Sequence, residues 1–259
     1  MNRLRLLKRG AERMHAEELG SLFVVSLPRS LSSLLYIAAA RAIGLVEPSW
    51  TSDGEILNRD RVPRRKQSLV PADERFTLLG SAPDIFANMT SYLDRAALRQ
   101  GFAYKDVLQP FVIGGWEGLG DFKVLKVRRN VAEVAYTMLK RQWLYPARAA
   151  SVFEGHPWSL VEGLVRAEAV LDALPGETVD YAHAVLDHDP LEAALGRLYP
   201  DAPLAPPRYI DRSFDRTRRR LEAERRSSLV FRQLEWIVSA VQEQLRFDDP
   251  REEIAEALP

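Results

Sequence analysis

The chain has 259 residues, 36 Lys+Arg against 36 Asp+Glu, and no cysteine. Balanced charge argues against a nucleic-acid binder or an electrostatic membrane binder, and the missing thiols exclude disulfides, cysteine nucleophiles and thiolate metal sites. No run is long enough to span a bilayer, and residues 1–20 lack a signal peptide's apolar stretch, so a cytoplasmic protein is expected. Residues 3–18 predict a basic amphipathic helix with Leu4, Leu7, Ala11 and Met14 near one face. Glu17 and Glu18 interrupt its basic side, which favours packing against the protein over lying on a membrane.

An apolar run over 22–27, β-branched at its centre, predicts a short buried strand. Pro28 ends it, having no N–H to give a ladder. Residues 34–43 are apolar and alanine-rich and predict a helix. Ser30, Ser32 and Ser33 therefore fall in the turn and first helical turn, where unpaired N–H groups and the helix dipole favour an anion. Arg29 adds a planar donor fork suited to phosphate or sulfate. The same serines also suit plain helix capping. The loop has neither the glycines nor the lysine of a Walker A sequence.

Residues 47–70 hold Pro48, Gly54, Pro63 and many charges, including Asp53-Gly54-Glu55 and five basic residues from Arg59 to Lys66. This composition predicts a long loop, which in a compact domain is more often functional than idle. Ser81 caps a predicted helix over about 83–98, and residues 102–104 predict a short strand leading into Lys105-Asp106. A strand is expected over 121–129, with a helix from Val131 to about Trp143. Asn130 is its N-cap and Glu133 stands three residues on, close to a capping box. Further helices are expected over 158–173, 190–198, 212–226 and 229–246, with a strand over 178–181 and a proline-rich loop over 203–207. The alternation predicts an α/β fold: a single domain over 1–259 with a mostly parallel central sheet flanked by helices, its ligand at the carboxyl ends of the strands. Residues 1–19 are expected to form its N-terminal helix, 20–200 its core and 201–259 its C-terminal helices.

Two stretches carry a resemblance. Leu27-Pro28-Arg29-Ser30-Leu31-Ser32-Ser33-Leu34-Leu35, together with Val127-Arg128-Arg129-Asn130-Val131-Ala132-Glu133-Val134-Ala135-Tyr136-Thr137, resembles the paired nucleotide motifs of sulfotransferases that use 3′-phosphoadenosine 5′-phosphosulfate (PAPS). In that family, of P-loop-like fold, the first loop cradles the 5′-phosphosulfate. A later strand ends in an arginine which, with a serine eight positions on, binds the 3′-phosphate. Arg129 and Thr137 have that spacing and Glu133 takes the acidic place. Lys105-Asp106 is similar to the family's Lys-Asp-Pro, and Val179-Asp180-Tyr181 with Asp189-Pro190-Leu191-Glu192 echoes a later segment. Asp53-Gly54-Glu55 resembles the Gly-Glu of members whose base is a glutamate. The chain departs from the pattern at Leu31, where the family has glycine, at Val131 for proline, Thr137 for serine and Ala182 for glutamate. Leu31 must therefore avoid positive φ or bear strain.

The resemblance implies sulfuryl transfer from PAPS to a hydroxyl of a small-molecule acceptor, by in-line displacement without a metal. Pro28, Arg29, Ser30, Leu31, Ser32 and Ser33 would hold the phosphosulfate, Arg129 and Thr137 the 3′-phosphate. Arg29 would stabilise the leaving group and Glu55 would act as base, with the four histidines, His156 first, as alternatives. Arg128 is the alternative to Arg129. A non-catalytic nucleotide-binding module of the same fold and a P-loop-type kinase remain as other readings. Trp50, Trp116, Trp143 and Trp158 are candidates for an acceptor pocket or for packing.

Overall fold

The structure is a computed structural model, and it describes residues 19–45, 101–107, 122–140, 157–209 and 212–245. In chain order these hold β1 (Ser21–Ser26), α1 (Ser32–Ile43), β2 (Ala103–Val107), β3 (Phe122–Arg128), α2 (Val131–Leu139), α3 (Pro157–Ala173), β4 (Glu177–Asp180), α4 (Tyr181–Ala184), α5 (Asp189–Leu198), α6 (Arg212–Ser227) and α7 (Leu229–Leu245). The expected helices over 3–18 and 83–98, and the loop over 47–70, lie outside the described residues.

The four strands form one parallel sheet in the order β2-β1-β3-β4. β1 is buried along its whole length, as its unbroken apolar run requires between two helical layers. On one face Phe23, Val25 and Tyr104 meet α2, α3 and α7. On the other Leu22, Val24, Leu125, Val127 and Val179 meet α1 and α5. The fold is thus α/β with helices on both faces of a parallel sheet.

Local chemistry explains the details. Lys126 is buried in β3 because its ammonium donates to the Leu174 carbonyl at 2.7 Å, just past the end of α3. Gly176 has φ +125°, and a Cβ there would stand 2.3 Å from the Val124 carbonyl oxygen, so only glycine fits ahead of β4. The Asn130 side chain accepts from the Glu133 N–H at 3.1 Å, capping α2 as predicted. β2 runs through Lys105-Asp106 instead of stopping before them, because the pairing with β1 continues to Ser26↔Val107. The chain leaves β1 toward β2 on one side and places β3 on the other. Above the carboxyl end of β1 the strand order reverses, and there a crevice opens in such sheets.

Candidate functional site

Two loops meet at that crevice. After β1, Pro28 is buried, Arg29 is exposed and Ser30 is fully buried, its hydroxyl 3.4 Å from the Pro28 carbonyl oxygen. Arg29 has φ +62° and Leu31 φ +59°. Leu31 therefore takes the left-handed backbone that glycine would adopt freely, and bears the strain. Left-handed residues of this kind are how a tight loop turns its N–H groups into an anion-binding concavity. The first backbone bonds of α1 run from the Leu34 and Leu35 N–H groups to the Leu31 carbonyl. The N–H groups of Ser32 and Ser33 precede that ladder, at the positive end of the helix. Leu31, at the cap position, offers no side-chain bond to them. The hydroxyl of Ser26, at the end of β1, is buried and has no hydrogen-bond partner among the described residues.

Lys105 enters from β2. It is 1% exposed, and its ammonium stands 3.1 Å from the Ser33 hydroxyl. A buried ammonium at a helix N-terminus concentrates positive charge where the helix dipole is already positive.

Arg129 enters from the end of β3, also nearly buried at 6% exposure. Its Nη1 donates to the Arg29 carbonyl, joining the two loops. Nε donates to Glu133 at 3.2 Å, and the guanidinium lies over the Tyr181 ring at 4.1 Å. Nη2 is left with no partner among the described residues. Arg128 points the other way. It is half exposed and pairs with Asp172 at 3.2 Å and Glu168 at 3.7 Å on α3. Glu168 borders a separate cleft of about 270 Å³, lined by Asn130, Ala132, Arg225, Glu235 and Gln242 among others.

The expected residues are thus brought together in part. Pro28 to Ser33 and Arg129 are brought together at the carboxyl ends of β1 and β3 by the bond from Arg129 to the Arg29 carbonyl. Thr137 is not joined to Arg129, because its hydroxyl donates to the Glu133 carbonyl at 2.8 Å, while Arg129 holds the Glu133 carboxylate. Both expected partners converge on Glu133, one on its backbone and one on its side chain. Glu55, His15 and His156 lie outside the described residues, as do Trp50, Trp116 and Trp143. Trp158 packs against the core beside α7. Lys105 and Tyr181 were not expected to take part in the site. A lysine within a run of buried strand residues was the available signal for Lys105. Tyr181 shows none, since its meeting with Arg129 depends on how β4 registers against β3.

No protein-family model matches the chain, and no curated protein matches it. Among solved structures, the chain is similar to a sulfotransferase domain from the curacin biosynthetic pathway. The two are 15% identical with a TM-score of 0.43, over 71% of this chain and 75% of that one.

Proposed function

We propose that this protein is a PAPS-dependent sulfotransferase acting on a hydroxyl of a small-molecule acceptor. One observation carries the reading: the Arg129 guanidinium, at the end of β3, is bonded to the carbonyl of Arg29 in the loop after β1. The two stretches that resemble the paired nucleotide motifs thus form one crevice at the reversal of strand order, rich in N–H donors and cations.

The residues fit a phosphosulfate. The amides of Ser32 and Ser33, the unpartnered Ser26 hydroxyl and the buried Lys105 ammonium offer donors and positive charge to an anionic ligand. The donor supplies a sulfuryl group on a phosphate leaving group; the acceptor oxygen bonds to sulfur as the bond from sulfur to the bridging oxygen breaks. Arg29 and Lys105 would stabilise the charge that gathers on the departing side. Arg129 would offer Nη2 to the 3′-phosphate, and Thr137 would join it by turning its hydroxyl away from the Glu133 carbonyl. Glu55 would take the acceptor's proton.

Glu55→Gln keeps shape and hydrogen bonding but removes basicity, and the cost in turnover should be on the order of 10²–10⁴-fold with nucleotide affinity kept. The check is sulfate transfer from labelled PAPS across a panel of hydroxyl acceptors. Normal turnover in Glu55→Gln with loss in His156→Ala would move the base. Product from no acceptor, with nucleotide still bound, would favour the non-catalytic module.

A further inference from the structure

The outward face of α7 carries a second seam. Its buried side is the expected one, with Phe231, Leu234, Val241 and Leu245 in or beside the core and Val238 packed on it. The opposite side repeats at spacings of three and four: Leu229, Arg232, Trp236, Ser239 and Glu243. That is the spacing of a helix–helix seam, yet Leu229 is 63% and Trp236 67% exposed. Tryptophan is the residue most enriched at interface centres, and the one most costly to leave in water. Trp158 meets the edge of Trp236 at 6.4 Å between ring centroids, steadying it without covering it.

The order of residue types along the seam names the partner. Arg232 precedes Trp236 by four residues, Ser239 follows by three, and Glu243 by four more. Turned end for end, this 4-3-4 pattern maps onto itself with arginine opposite glutamate and tryptophan opposite serine. Neither Arg232 nor Glu243 has an ion-pair partner among the described residues. The Ser239 hydroxyl donates back to the Glu235 carbonyl at 3.0 Å, so it shows a neighbouring helix only a small, satisfied surface. A parallel pairing would set Arg232 against Arg232.

We propose that the chain forms a two-fold dimer through α7, packed antiparallel on the α7 of a second copy. Each Trp236 seats on the partner's Ser239, and each Arg232 meets the partner's Glu243, as an isologous contact requires. This proposal is independent of the reading of the nucleotide site.

Sedimentation velocity over a concentration series tests it. Wild type should sediment as a dimer at high concentration. Trp236→Glu should weaken the dimer about 30-fold or more, the scale of losing a hot-spot tryptophan, with its far-UV spectrum unchanged because the site is exposed. Arg232→Glu should weaken it too, and the charge exchange Arg232→Glu/Glu243→Arg should restore it, which a merely structural role for either residue would not do. A wild-type chain that stays monomeric at the highest soluble concentration would overturn the proposal. So would a Trp236→Glu dimer as strong as wild type, or a double exchange no stronger than the single change.

Discussion

Arg129 and Arg128 are neighbours in sequence with opposite employment. Arg129 is nearly buried and clamps the loop after β1, whereas Arg128 is half exposed and joins α3. Arg129→Ala should weaken binding of 3′,5′-bisphosphoadenosine by about 2–4 kcal/mol, the scale of truncating a buried charged partner. Arg128→Ala should leave that affinity unchanged; a matching loss in both would contradict the division. Leu31 poses a different test. A non-glycine residue in the left-handed region costs about 1–2 kcal/mol, and glycine's extra unfolded freedom takes back about 0.5–1 kcal/mol. Leu31→Gly should therefore raise stability by about 0.5–1 kcal/mol, seen as a higher urea midpoint at constant slope. A lower midpoint would mean that the Leu31 side chain, not its backbone, matters there.

At the scale of elements, α3 carries a pH-sensitive contact. The Glu168 carboxyl is held above its ordinary range, first by burial, with the Arg128 guanidinium opposing the rise and the Asp172 carboxylate adding to it. An acid whose folded pKa is raised binds its proton more tightly in the folded state. Its contribution to stability is complete below the ordinary glutamate value of 4.5, and is lost as pH rises through the folded value. Glu168→Gln cannot titrate, so relative to wild type it should gain stability as pH rises from about 4 to about 7. Urea midpoints of the two proteins that run parallel across that range would contradict the assignment. The elements themselves were largely legible in sequence, because several announce their ends locally. Pro28 closes β1, Asn130 opens α2, and Pro190 stands in the first turn of α5. β2 was read short because a strand carrying Lys105-Asp106 is recognised only beside its partner. The burial of Lys126 depends on the Leu174 carbonyl 48 residues away.

For the whole molecule, the parallel sheet between two helical layers was legible from the alternation of strands and helices, but its order was not. The order decides that the loop after β1 and the end of β3 are neighbours, and so that Arg129 reaches Arg29. The resemblance implied an Arg129–Thr137 pair. The preference of a threonine hydroxyl for its own helix's carbonyl four residues back set Thr137 on Glu133 instead. If the crevice handles sulfuryl transfer with cations and amide dipoles alone, turnover should persist in excess chelator. Kinases need magnesium to neutralise the transferring phosphoryl group, so activity lost with EDTA and regained with magnesium would favour the kinase reading.

The most direct measurement is calorimetric titration of the protein with 3′,5′-bisphosphoadenosine and with 5′-AMP. A crevice that joins Arg129 to the loop after β1 should bind the bisphosphate more tightly by about 2–4 kcal/mol, the scale of a buried charged contact, and Arg129→Ala should erase the difference. Equal affinity for the two nucleotides, or a preference that survives Arg129→Ala, would contradict it.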